Sequence, residues 1–546
     1  MSILNSGSNG AFTPLGLYTA WPEERFVNTA APCLRHADLL QFLHALASGF
    51  PDSIELVEVG QSFLGRPIQM LKLGSGPNRI LLWSQMHGDE PSATPALLDI
   101  ASYLLQRADQ SEARMVLQNF TLLMVPMLNP DGAEVYQRRN AQGVDINRDA
   151  LHLATPEGRL LKRIRDEYEP MLAFTLHDQD RRKAAGKTGH VANIALLSVS
   201  GDEWQTLTLG RLRTKRANAA IVEALTPFIA DGISRYDEEW SPRAFGDNIT
   251  AWGTPVLLIE SGGCPKDREI TELTRLNFVA ILTVLHGLAR DDLAGYDPAV
   301  YDDLPLNREE SWSDVVIRGS YILQPGMTQA YRADLAFDVL QSDRQAAGCC
   351  DDPRVPSQII LVGDAYTHGA GTSIEAFGNV LLAPFKVGVR GWSERHWLKR
   401  ECLSQLARLG VGTVCWEVGA DNRGDALAHA AKMNGRGLPD IEVLSGAGGL
   451  PETVLNGPPS LPPGRANLAA ILKALGTESP DCSASLAKLW VPAAGDRPET
   501  PPLIMDRPAS FLMVSAGADG QIDLAASRLL TVWLDGYEVT EKLTGD

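Results

Sequence analysis

The chain has 546 residues, 44% of them hydrophobic and 21% charged, which describes a soluble globular protein with room for at least two ordinary cores. Its formal net charge of −18 argues against nucleic acid or an anionic membrane as the main partner. The seven cysteines are scattered without a Cys-x-x-Cys pair, and no basic start leads into an apolar core, so a reduced, cytoplasmic setting without a membrane span is expected.

In chain order, a helix is expected over Ala37–Leu46, followed by strands Ser53–Val59 and Pro67–Leu73 joined by the turn at residues 60–65. Ile80-Leu81-Leu82-Trp83 is too short and too β-like for a helix and reads as a buried parallel strand. It runs into Met86-His87-Gly88-Asp89-Glu90. Pro91 then opens an amphipathic helix with Ala96, Leu97, Ile100, Leu104 and Leu105 on one face. The apolar run Phe120–Met127 ends in the turn Leu128-Asn129-Pro130-Asp131-Gly132. Pro156–Tyr168 reads as a helix, Met171–Leu176 as a strand that stops at His177, and Ala192–Val199 as another strand. A long helix at 203–228, a short strand Thr254–Ile259 ending at Glu260, and an amphipathic helix Asp267–Ala289 complete the alternation. Such alternation implies an α/β fold, a mostly parallel twisted sheet with helices on both faces.

Three of these strand ends carry metal-binding or acid–base groups: His87 with Glu90, then His177, then Glu260. The carboxyl end of a strand is where open α/β sheets place their ligand sites. A His-x-x-Glu alone is more often a solvated loop. His177 changes that balance, because a catalytic zinc takes three protein ligands and leaves a fourth position for water. His87, Glu90 and His177 supply a His2Glu set, and Glu260 remains as a carboxylate able to take a proton from water. Between them lies Arg138-Arg139-Asn140-Ala141-Gln142-Gly143-Val144-Asp145-Ile146-Asn147-Arg148. The planar fork of arginine suits bidentate capture of a carboxylate, and an asparagine amide can add a hydrogen bond.

Taken together and in this order, His87-Gly-Asp-Glu90, Asn129-Pro-Asp-Gly132, Gly143-Val-Asp-Ile-Asn-Arg148, Leu176-His177 and Leu258-Ile-Glu260 resemble the motifs of the zinc carboxypeptidases. The resemblance covers roughly residues 50–290. It implies one Zn2+ on His87, Glu90 and His177, with Glu260 as general base and later general acid. It also implies that Asp145 orients His87, that Arg138 stabilises the oxyanion, and that Asn147 and Arg148 grip a terminal carboxylate. Tyr236 is a loose counterpart of the family's substrate-covering tyrosine. The chain departs from the pattern at Arg139, which leaves open which arginine faces the oxyanion, and at Asp149, which places an acid next to the carboxylate clamp.

A polar connector at residues 290–312 separates an expected catalytic domain, 1–295, from a β-containing domain, 313–546. Asp314–Leu323, Arg332–Val339, Gln358–Val362 and Gly412–Val418 read as strands and Trp397–Leu409 as a helix; residues 448–466 and 493–508 read as loops. The stretches around Asp314–Gly319, Ala333–Ala336 and Gln521–Gly536 resemble the flanking strand sets of amidohydrolases. The matching first barrel strand, Ala383–Gly391, lacks the His-x-His metal pair, so a structural or interactive role is expected there. The activity implied is that of a zinc metallocarboxypeptidase hydrolysing a C-terminal peptide bond. The alternatives are a zinc deacylase acting on N-acyl-amino acids, similar to aspartoacylase and succinylglutamate desuccinylase, and an inactive scaffold whose second domain binds a partner.

Overall fold

A computed structural model describes residues 12–187, 189–264 and 270–308. Further along it describes segments within 312–323, 331–338, 354–390, 398–445 and 510–541. The chain divides into two compact units, one holding the described residues up to Trp312 and the other those from Ser313 on.

The first unit is built on an eight-stranded sheet. Its strands are β1 (Ile54–Gln61), β2 (Pro67–Leu73), β3 (Asn78–Trp83), β4 (Phe120–Val125), β5 (Leu172–Asp178), β7 (Ile194–Ser198), β8 (Ile233–Arg235) and β9 (Val256–Ser261). The two-residue β6 (Ala184–Ala185) pairs outside it with β10 (Asn307–Arg308). The order is β1-β2-β4-β3-β5-β9-β7-β8. The middle four strands are mutually parallel, while β2 meets β4 and β7 meets β9 antiparallel. Each middle strand is buried on both faces, which explains its unbroken apolar run.

Alternate residues of β3 feed two separate cores. Ile80 and Leu82 join one with Leu97, Ile100 and Leu104 of α3 (Ala93–Gln106), while Leu81 and Trp83 join the other with Leu160, Leu161 and Ile164 of α6 (Pro156–Tyr168). On the first face also lie α1 (Pro14–Glu24), α2 (His36–Gly49), α4 (Ser111–Asn119), α7 (Leu209–Ile229) and α9 (Thr271–Ala289). On the second face α6 is joined by α8 (Phe245–Ala251).

The helix α9 is long and apolar enough to cross a membrane by length and composition. Leu276, Phe278, Ile281, Leu282 and Leu285 are instead fully or almost fully buried in the core. At about 1.5–3 kcal/mol per buried large apolar side chain, these suffice to hold it on the sheet.

Several elements differ from the sequence reading. The expected helix at 203–228 begins only at Leu209, where the Thr208 hydroxyl accepts from the Arg211 N–H and caps it. The sequence reading has no helix at α1, α4 or α8, and reads only a turn where α5 (Pro130–Val135) begins. The connector is not merely polar: Leu293 and Tyr301 within it are buried in the first core. Cys33 is disulfide-bonded, against the expectation of wholly reduced cysteines.

The second unit contains a nine-stranded sheet. It is formed by β11 (Trp312–Leu323), β12 (Tyr331–Asp338), β13 (Arg354–Pro356), β14 (Gln358–Gly363), β15 (Gly369–Glu375), β16 (Asn379–Leu382), β20 (Ser510–Ala516), β21 (Ile522–Asp535) and β22 (Glu538–Glu541). A separate three-stranded parallel sheet combines β17 (Phe385–Arg390), β18 (Val411–Val418) and β19 (Asp440–Ser445), with a helix at Arg423–Met433. The strands read at Asp314–Leu323, Arg332–Val339, Gln358–Val362 and Gly412–Val418 correspond to β11, β12, β14 and β18. The expected helix Trp397–Leu409 lies mostly outside the described residues, and the loops at 448–466 and 493–508 lie wholly outside them.

Candidate metal centre and active site

Two turns meet beneath the site. After β3 the backbone passes Gln85 at φ 48°, and the Gln85 side chain donates to the Gly88 carbonyl at 3.0 Å. Leu128 N–H donates to Ser84 O and Asn129 N–H to Gln85 O, which joins this turn to the one after β4. The contact is close: a Cβ on Gly88 would stand 2.0 Å from the Gly132 carbonyl carbon. Both motifs therefore need their glycine for packing, and the pair fixes where His87 and Glu90 emerge.

His87, Glu90 and His177 come together, their ligand-type atoms all within 4.8 Å of one another. All three side chains are buried. His87 Nδ1 lies 2.7 Å from Glu90 Oε1, and His177 Nδ1 lies 2.8 Å from Glu90 Oε2. The backbone N–H of Asp178 adds a hydrogen bond to Glu90 Oε2 at 3.2 Å. On its other nitrogen His87 faces Asp145, Nε2 to Oδ1 being 3.1 Å. The Asp145 contact on Nε2 orients the ring so that Nδ1 is the atom turned toward Glu90.

The donor set fits zinc. Two imidazoles and one carboxylate converge, and Arg138 Nη1 touches two of the same atoms, Glu90 Oε1 at 3.0 Å and His87 Nδ1 at 3.1 Å. A positive charge is thus already drawn to the place where the three ligands meet. Burial opposes ionisation of Glu90, but His87 and His177 outweigh it and hold its carboxyl well below the usual range. Burial likewise opposes charging of His87, yet Glu90 and Asp145 lift it to about 9. For His177 burial prevails and the imidazole is pushed down.

Glu260 is brought to His177 by strand pairing. The two are register partners across β5 and β9, although 83 positions apart in sequence numbering (177 to 260). Burial raises the Glu260 carboxyl well above the usual carboxylate range, and the negative charge of Glu90 adds to the effect.

The two arginines point to different partners. Arg138 Nε donates to Asp145 Oδ2 at 3.0 Å and its Nη1 reaches Glu90, whereas Arg139 Nη1 turns to the Gly143 carbonyl at 3.1 Å. Asn147 and Arg148 sit in the short 3-10 turn Ile146–Arg148, capped by Asp145 through the Asn147 N–H. The Asn147 carbonyl group of the side chain accepts from Phe245 N–H at 2.9 Å, which ties the turn to α8. Arg148 is exposed, with Nη1 donating to the Asn147 main-chain oxygen. Asp149 turns inward. It is buried and accepts from Ala154 N–H, Thr155 N–H and the Thr155 hydroxyl. Tyr236 follows β8, its ring packed against the second core and 4.9 Å from the Lys183 ammonium.

The sequence reading assigns no role to Asp178, whose Oδ2 accepts from both the N–H and the hydroxyl of Ser92. Burial, with Glu90 beside it, pushes the Asp178 carboxyl up to about 8. Only its place next to His177 could have drawn attention to it.

Residues 39–169 match the family model of the zinc carboxypeptidases. The matched stretch holds His87, Glu90, Arg138, Asp145, Asn147 and Arg148; His177 and Glu260 lie beyond it. The chain is 33% identical over 101 residues to carboxypeptidase SOL1 of Arabidopsis thaliana, covering 17% of this chain and 21% of that protein. It is 32% identical over 108 residues to carboxypeptidase 2 of Trichophyton rubrum, covering 20% of each. To human carboxypeptidase D it is 31% identical over 144 residues, 23% of this chain and 10% of that protein. The matches thus span about a fifth or less of these curated relatives. Among solved structures, a metallo-carboxypeptidase from Burkholderia cenocepacia aligns with TM-score 0.38 and 18% identity over 47% of this chain and 69% of its own. One from Pseudomonas aeruginosa, in complex with (2-guanidinoethylmercapto)succinic acid, aligns with TM-score 0.37 and 20% identity over 47% and 69%. The matched stretch therefore holds two of the three candidate ligands, and the sheet beyond it holds the third and the candidate base.

Proposed function

We propose that the first unit is a zinc-dependent metallocarboxypeptidase acting on a peptide with a free carboxyl terminus. The observation that carries this reading is the convergence of His87, Glu90 and His177 beside Glu260, with Arg138 held over the same atoms. Zinc, when bound, supplies Lewis acidity that makes water a nucleophile near neutral pH.

The chain's own groups perform the remaining work. Asp145 holds His87 by its Nε2–H and so keeps the opposite nitrogen directed at Glu90. Glu260, in a buried position where a proton is bound more tightly than usual, takes the proton of the attacking water. It then delivers that proton to the leaving amine. Arg138, positioned by Asp145, stabilises the negative charge that develops on the scissile carbonyl oxygen. Asn147 and the exposed guanidinium of Arg148 receive the substrate's terminal carboxylate. Tyr236 directly follows β8, and its role in covering substrate belongs to the same proposal.

The decisive experiment is a hydrolysis panel of free peptides, C-terminally amidated peptides and N-acyl-amino acids, each with zinc and with chelator. Release of the last residue from free peptides alone, abolished by chelation, is expected. Hydrolysis of N-acyl-amino acids with no cleavage of peptides would replace this reading with the deacylase one.

A further inference from the structure

Arg138 and Asp145 flank a loop whose shape is governed by one buried side chain, Asn140. The Asn140 main chain pairs with Val144, N–H to carbonyl at 3.1 Å, and its carbonyl accepts from Gly143 N–H at 2.9 Å. Its side-chain oxygen accepts from Gln142 N–H at 3.0 Å and from Val144 N–H at 3.1 Å. Gly143 closes the turn at φ +75°, a conformation that favours glycine. The amide nitrogen of Asn140 donates outward, to Gln142 Oε1 at 3.2 Å and to Glu157 Oε2 at 3.1 Å. Glu157 is fully buried in the first turn of α6, and its other oxygen accepts from Phe63 N–H in the β1–β2 hairpin at 3.2 Å.

We propose that Asn140 and Glu157 form a buried strut that positions Arg138 and Asp145, and through Asp145 the zinc ligand His87. Both are positioning residues; neither touches the metal-ligand atoms. The need for a strut is physical. The Arg138 side chain is 43% exposed, so packing alone cannot hold it, and its place is set by Asp145 and Glu90. Asp145 follows Val144 directly, so the turn that Asn140 organises sets where the Asp145 carboxylate starts. The anchor for that turn is α6, itself fixed in the second core by Leu160, Leu161 and Ile164. The Asn140 side chain makes four hydrogen bonds to three residues, accepting at its oxygen and donating at its nitrogen. Aspartate, which offers oxygens on both sides, would face the Glu157 carboxylate.

The proposal rests on the metallocarboxypeptidase reading for the role of Arg138, and its test has an arm independent of it. Three full-length variants are compared: Asn140→Asp, Glu157→Gln, and the two combined. Asn140→Asp sets two carboxylates against each other. In the combined variant the donor and acceptor exchange ends, so the bridge re-forms with opposite polarity. Zinc dissociation is measured by competition with a chromogenic chelator, kcat and KM on a free peptide, and unfolding by calorimetry.

In Asn140→Asp, zinc dissociation is expected to rise about tenfold and kcat to fall about tenfold or more, with any rise in KM smaller and following from the Asp145 cap on the Asn147–Arg148 turn. The combined variant recovers most of both. If Asn140→Asp does not fold, Glu157→Gln carries the test: it keeps one bond and loses the other, so an intermediate loss of zinc affinity is expected. A lowered unfolding temperature with zinc affinity and kcat unchanged overturns the proposal, as does a folded combined variant no better than Asn140→Asp. If the wild-type protein binds zinc but cleaves no peptide, the metallocarboxypeptidase reading fails while the zinc arm still decides on the strut.

Discussion

Replacing His286 with leucine should change how stability depends on pH, by an amount the structure sets. His286 lies in α9, 2% exposed, its ring edge-on to Phe12 with centroids 5.3 Å apart. Neither ring nitrogen has a hydrogen-bond partner among the described residues. Burial, helped by the Arg290 charge and only partly countered by Glu112, pushes the imidazole down to about 4. The unfolded chain charges this group near its ordinary value of 6.5. Between pH 6.5 and 4 the unfolded state therefore holds one more proton than the folded state, and stability falls as pH falls through that window. At pH 4.5 the loss amounts to about 2–3 kcal/mol, since one pH unit of such imbalance is worth about 1.36 kcal/mol. Leucine keeps an apolar side chain in the helix, removes no hydrogen bond and cannot be charged. Chemical denaturation of wild type and His286→Leu at pH 4.5, 5.5, 6.5 and 7.5 gives the test as a difference, so that other titrating groups cancel. The variant should gain on the wild type by about 2–3 kcal/mol between pH 7.5 and 4.5. A difference that stays flat with pH would refute the reasoning and show that the imidazole finds a partner in solution.

Glu260→Gln should retain zinc by metal analysis and lose hydrolysis by about 100-fold or more, since only the proton transfer is removed; undiminished turnover would move the base elsewhere. Arg148→Ala should abolish the preference for free over amidated peptides, at a cost of about 2–5 kcal/mol in kcat/KM for free ones. Unchanged preference would place the clamp at another residue. Asp99 accepts from the Trp21 indole and from the Phe26 and Val27 N–H groups, and burial raises its carboxyl to about 7. Its folded value being above the unfolded one, the contribution is fullest below pH 4 and is lost as pH rises through 7. Asp99→Asn should therefore destabilise more at pH 5 than at pH 8, by about 1–3 kcal/mol at the lower pH, because its amide faces the indole N–H. Equal destabilisation at both pH values would contradict this.

The amino-acid sequence by itself determined the local facts. Short apolar runs bounded by turn residues identified β3, β4, β5 and β9, and the residues at their ends named His87, Glu90, His177 and Glu260 as candidates. Periodicity and turn chemistry act over a few residues, so a single chain displays them directly. Tertiary structure decided what those residues meet. The parallel register of β5 on β9 sets Glu260 beside His177. Hydrogen bonds across the loop direct Arg138 to Asp145 and Arg139 to the Gly143 carbonyl, and turn Asp149 toward Thr155. The approach of Gly88 to Gly132, and the bridge from Asn140 to Glu157, likewise join segments with no local signal of each other. Strand order and helix packing fix such pairings, and they arise from burying two apolar faces of one sheet at once, a condition no short window of sequence expresses.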